Sequence, residues 1–167
     1  IAMQGSQQIG NNQLSQYRFR HILFQQYLYN SLDPIQHMYL HRAIADALVA
    51  RYGPQAHTIA PRLARHYTIA GDSAQACHWY TVAGEMAAAI YAHFEAEAHY
   101  RRALALCHTP TASPEQQTDE QQCSRLYTLL GRTLELAAHY DQALALYEEM
   151  AEEAQRRNDQ TMELTSL

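Results

Sequence analysis

The chain of 167 residues contains no lysine, and all twelve of its basic residues are arginines. That absence excludes a P-loop, whose lysine reaches the nucleotide phosphates, and any chemistry through a lysine Schiff base. Cysteine is scarce: Cys77, Cys107 and Cys123 are odd in number, widely spaced and free of any CxxC motif. This pattern excludes a thiol-redox or zinc-ribbon signature and points to a reducing, cytoplasmic setting in which free thiols serve as small buried hydrophobes. Glycine and proline number only six and five, which excludes collagen-like and low-complexity chains. No apolar run approaches the roughly 20 residues that cross a bilayer, so no membrane-spanning segment is expected. The opening IAMQGSQQIG has neither a basic start nor an apolar core, so it does not read as a signal peptide.

What is present describes a globular, helical protein. Hydrophobic residues make up 47% and charged residues 17%, enough apolar surface to build a core in a chain of this length. The net charge of −5 is unevenly divided: residues 1 to 70 carry six Arg against Asp33 and Asp46, and the remainder carries six Arg against fifteen acids. The arginines of the basic half are dispersed among apolar residues rather than clustered, so direct binding of nucleic acid is not expected.

Along the chain, residues 1–16 are rich in Gln, Asn, Gly and Ser and read as a polar loop. Tyr17 and Phe19 alternate with Arg18 and Arg20, the period of a short strand, at most one in the chain. The apolar stripe of residues 21–32 is broad enough to predict a mostly buried helix. Asp33-Pro34 is a helix start, and the three- and four-residue spacing from Ile35 to Tyr52 runs to a stop at Gly53-Pro54. Further helices are expected at 57–70, 73–90, 93–108, 119–138 and 141–157, with a proline-containing loop at 109–118 and the start of another helix in 158–167. The predicted class is therefore all-α.

One spacing recurs through the helices. A small residue (Ala64, Gly84, Gly131) is followed twelve residues later by an alanine (Ala76, Ala96, Ala143), then by a tyrosine (Tyr80, Tyr100, Tyr147) and a further small or flexible residue (Ala83, Ala103, Met150). A small residue on one helix lets the next approach, and an aromatic one turn beyond an alanine fills the space between them. These residues resemble the tetratricopeptide repeat. LLGRTLELAAHYDQALALYEEM is the clearest copy and LARHYTIAGDSAQACHWYTVAGEMA a second, while the middle copy starts only twenty residues after its predecessor, so that helix 73–90 serves both neighbours. The resemblance implies an irregular array of antiparallel helix pairs in a right-handed solenoid, over residues 55–108 and 119–157.

The segment YRFRHILFQQYLYNSL, followed by HRAIADAL and LARHY, is similar to a junction in STAND-type bacterial signalling ATPases. In these regulators a winged-helix segment after the ATPase leads into a helical-repeat arm. The resemblance assigns residues 17–54 to the end of that winged segment, whose remaining strands would lie upstream. It implies a non-catalytic arm that binds a protein or peptide and relays the event to upstream ATPase and effector domains. The alternative is a repeat hollow that senses a small ligand. No cofactor is implied. The tetratricopeptide resemblance implies that the first helix of each pair lines the concave surface, which makes Arg65, Arg125, Thr128 and Arg132 the groove candidates; guanidinium groups there would pair with carboxylates through two hydrogen bonds. The repeat end left uncovered at 158–167 is a face that a second copy would cover. His21 reads either as a local cap or as a contact to the ATPase portion. His37 and His41 lie four apart but lack a third ligand, Glu97 and Arg101 are spaced for an ion pair, and Glu148, Glu149, Glu152 and Glu153 form an acidic helix face.

Overall fold

The computed structural model describes residues 2–9, 12–18, 21–108 and 120–157. From residue 21 onward the described elements are all helical. The expectations for the loop at 109–118 and for the last helix start at 158–167 lie outside the described residues.

The first correction concerns the N-terminal segment. Instead of a polar loop and one four-residue strand, strand β1 (Ala2–Ile9) pairs antiparallel with β2 (Asn12–Arg18), with Ile9 opposite Asn12 and Ala2 opposite Arg18. The register shifts between Met3 and Gly5. An antiparallel ladder is closed by backbone N–H and C=O groups, so Gln, Asn and Ser side chains conceal it from a search for apolar alternation. A partner of the Tyr17 strand therefore lies within the chain. Phe19 and Arg20 lie outside the described residues.

Helix α1 (Ile22–Asn30) follows, then α2 (Pro34–Tyr52). Asp33 starts α2 through a reciprocal capping box: its carboxylate accepts from the Gln36 N–H at 2.8 Å, and the Gln36 side chain accepts from the Asp33 N–H at 3.1 Å. The helix ends at Gly53, whose φ of +50° is open to glycine at little cost. Where a helix is expected from residue 57, a 3-10 segment occupies Gly53–Ile59 and α3 spans Ala60–Ile69. Pro61 in the first turn of α3 has no N–H to leave unsatisfied. The remaining helices are α4 (Ser73–Ala89), α5 (His93–Cys107), α6 (Glu120–Leu136) and α7 (Tyr140–Arg157).

From α2 to α7, each helix packs against the next in sequence. Three of the connections are built alike. At the end of α3, the Gly71 N–H bonds to Thr68 O and the Asp72 N–H to Tyr67 O; after α4, Tyr91 bonds to Ala88 and Ala92 to Ala87; after α6, Ala138 bonds to Glu135 and His139 to Leu134. The left-handed residue is Gly71 in the first turn, Tyr91 in the second and Ala138 in the third. Each stands seven residues after the small residue of its copy, Ala64, Gly84 or Gly131. The sequence repeat therefore has a backbone counterpart.

The small and aromatic residues meet across these hairpins. A Cβ on Gly84 would overlap the Tyr100 ring, and one on Gly131 would overlap the Tyr147 ring. Ala64, Ala76, Tyr80, Ala83, Ala96, Tyr100, Ala103, Ala143 and Met150 are buried, while Tyr147 is half-buried and donates its hydroxyl to Glu135. Leu63 on α3 and Leu126, Leu130 and Leu134 on α6 complete the interior. Each such leucine contributes about 1.5–3 kcal/mol by leaving water. Arg101 bonds Glu97 at 2.8 Å and Gln142 at 2.9 Å, so the expected local ion pair also ties α5 to α7.

Candidate interaction surface

The second correction is α1. The breadth of its apolar stripe predicts burial, yet none of its residues is buried. Leu23 and Tyr27 are each 72% exposed, and Ile22, Phe24 and Leu28 are also open to solvent. The apolar surface continues along α2 through Ile35, Met38 and Tyr39. Its sequence, ILFQQYLYN, has no charged residue. A hollow of about 520 Å³ lies between His21, Leu23, Phe24 and Tyr27. His21 precedes α1 in extended conformation and makes no side-chain cap; its carbonyl accepts the Phe24 N–H and its ring meets Phe24 edge-on.

At its C-terminal end α1 is held by histidines. Tyr29 stacks on His37 with ring centroids 4.3 Å apart, and His37 Nε2 lies 2.8 Å from the Tyr29 carbonyl. The Tyr29 hydroxyl lies 3.0 Å from His41 Nε2, and His41 Nδ1 lies 2.9 Å from His66 Nδ1 on α3. Burial foremost, and then the neighbouring cations, hold both His41 and His66 below the ordinary histidine pKa. His37 and His41 thus grip one tyrosine. Among the described residues no group of three side chains is placed to hold a metal ion.

The four groove candidates are exposed but not assembled together. Arg125, Thr128 and Arg132 follow three- and four-residue steps along α6, whereas Arg65 lies on α3, with α4 and α5 between them in the packing order. Arg125 is already bound by Glu85 of α4. Thr128 donates its hydroxyl back to the Ser124 carbonyl. Beside Arg125, a polar hollow of about 350 Å³ is lined by His78, Thr81, Val82, Gln121 and Gln122. A more apolar hollow of about 370 Å³ joins Thr58 and Pro61 to Met86, Ile90, Glu95 and His99. His99 Nδ1 is a buried nitrogen without a hydrogen-bond partner, and burial first, then Arg102, lowers the pKa of the ring.

The acidic face of α7 is only partly solvated. Glu148 and Glu152 are exposed, Glu149 accepts the Tyr127 hydroxyl, and Glu153 is 8% exposed and paired with Arg156 at 2.8 Å.

The fold also gathers what linear spacing disperses. Cys77 Sγ lies 3.7 Å from Cys107 Sγ, and Cys107 is also hydrogen-bonded to Cys123, so the three thiols meet where α4, α5 and α6 adjoin. These bonds, together with burial, push the Cys107 thiol far up, which makes it a packing group and not a nucleophile. Its sequence neighbour His108 turns instead toward the Tyr127 hydroxyl, at 3.2 Å. No signal in the sequence brings residues 77, 107 and 123 together, because the meeting depends on how three helices stack. No family model, curated protein or solved structure matches the chain.

Proposed function

We propose that the chain is a non-catalytic helical-repeat arm whose α1–α2 surface docks a globular protein partner. The observation that carries this reading is α1: its large apolar side chains are exposed, it is uncharged, and it precedes a series of packed helical hairpins. A solitary helix of nine residues gains little by itself in water, so its apolar face contributes stability only against another surface. The recurring turns and the Gly–Tyr contacts support an irregular tetratricopeptide-like solenoid for the body. The resemblance of residues 17–108 to the arm of STAND-type ATPases suggests the partner class: a winged-helix or ATPase domain of the same parent chain, with the arm relaying a signal to it.

The test is a paired substitution, Leu23→Asp with Phe24→Asp. Neither residue is buried, so the variant is expected to unfold at the same urea concentration as the native chain. Supplied in trans with the parent protein's ATPase–winged-helix portion, the native chain should co-migrate in gel filtration and the variant should not. Equal co-migration of both, or of neither, overturns the docking reading.

A second reading, a small-ligand sensor, draws on the apolar hollow at Met86, Ile90 and His99, whose unpartnered nitrogen is suited to a hydrogen-bonding ligand. Ligand-induced change in the fluorescence of the single tryptophan, Trp79, abolished by Met86→Asp, would favour it.

A further inference from the structure

The junction between α1 and the helical body consists of hydrogen bonds through imidazoles. Among the described residues, the side-chain hydrogen bonds from α1 to α2 begin at Tyr29: its hydroxyl meets His41 Nε2 at 3.0 Å and its carbonyl meets His37 Nε2 at 2.8 Å. His41 is in turn hydrogen-bonded to His66 of α3, nitrogen to nitrogen, at 2.9 Å. A bond between two Nδ1 atoms has one proton between them, so one ring must donate and the other accept. Two neutral imidazoles satisfy this in complementary tautomers. One added proton is also tolerated, because an imidazolium N–H donates well to a neutral nitrogen. A second added proton places two N–H groups and two positive charges face to face, and the bond cannot survive.

We propose that the His41–His66 pair is a proton-operated latch, which seats α1 on α2 through the Tyr29 hydroxyl while at least one of the two rings is neutral and releases it when both are protonated. Two imidazolium rings so close repel each other, which drives the His41 ring out of its place against Tyr29. His37, which stacks on Tyr29, then faces an added charge on its own helix.

The surroundings favour a sharp release. α1 contributes no charged residue. From α2 the facing group is His37, and from α3 Arg62 and Arg65, all of them basic. The nearest carboxylates on this seam are committed elsewhere: Asp46 accepts the Tyr67 hydroxyl at 2.8 Å, and Asp72, at the turn into α4, pairs with Arg42 at 2.7 Å and caps Gln75. Both histidines are held below 6.5 by burial first and then by these cations. The sign follows: the latch is closed above about pH 6.5, and it opens only when the pH has fallen further, through the lowered pKa of both rings. The latch is a property of this chain alone, and it stands or falls separately from the docking proposal.

The experiment is proton NMR on the whole chain with ¹⁵N-labelled histidine, from pH 7.5 to 4.5. The Tyr29 ring should show cross-peaks to the His37 and His41 rings at pH 7.5. These should disappear once the nitrogen shifts report both His41 and His66 as protonated, while contacts of the buried Tyr100 ring persist. In His66→Phe, and in His66→Asn if the phenylalanine variant does not fold, His41 has no second imidazolium to face, and the Tyr29 contacts should persist through the same range. The proposal is overturned by contacts that survive double protonation, by the same loss in the His66 variant, or by loss of the Tyr100 contacts before both rings are protonated.

Discussion

At Gly84 a single missing atom governs the packing of two helices. The Tyr100 ring occupies the space a Cβ would need, and Tyr100 is 1% exposed, with its hydroxyl pKa pushed up to about 12 by burial first and then by Glu85. Gly84→Ala should therefore destabilise the chain by about 1–3 kcal/mol, the usual cost of overpacking, although alanine is the better helix former. Tyr100→Ala should cost about 3–5 kcal/mol, Tyr80→Ala a similar amount, and Tyr147→Ala least, because Tyr147 is half-buried where the other two are buried. Urea midpoints of the three variants check the order. His99 gives a pH dependence at the same scale. Its pKa is lowered in the folded chain, so the unfolded chain binds the proton more readily, and the stability His99 contributes is present above about 6.5 and lost as pH falls below it. His99→Phe should flatten the part of the acid-side loss in midpoint that belongs to this ring.

The elements are joined by one turn used three times, and the residue at its left-handed position differs. Gly71 takes φ +73° without strain, but Tyr91 and Ala138 take φ 61° and 60° with a Cβ in place. Ala138→Gly should raise stability by about 0.5–1 kcal/mol, as should Tyr91→Gly, less any loss from the edge-on contact its 82% exposed side chain makes with the His93 ring. Gly71→Ala should lower it, because the new Cβ would also lie 2.9 Å from Met38 Cε. Thermal melts of the three variants provide the comparison. A midpoint that falls in Ala138→Gly would show that flexibility gained by the unfolded chain outweighs the strain relieved.

Across the described residues the interior is continuous from α2 to α7, and exposed large apolar side chains are densest on α1 and the first half of α2, with others, such as Ile90 and Phe94, farther along the chain. Dyes that fluoresce in apolar sites should therefore bind the folded chain, and Leu23→Asp with Phe24→Asp should remove most of that signal without moving the urea midpoint. No helix among the described residues is long and apolar enough to cross a membrane.

The sequence by itself determined the elements whose causes are local. The Asp33-Pro34 start and the Gly53 stop of α2 are chemistry within one turn of chain, and the small–Ala–Tyr spacing is a period that a helix converts directly into a face. Only the tertiary structure decided the remainder. The β1–β2 hairpin rests on backbone pairing, which polar side chains do not reveal. Whether the stripe of α1 is covered depends on what packs against it, and no neighbour here buries it. The thiol cluster, the Arg125–Glu85 pair and the His41–His66 bond join residues 46, 40 and 25 positions apart or more closely, with Cys77 and Cys123 the farthest. Linear spacing is silent about such meetings, because they are set by the angle and order in which helices stack.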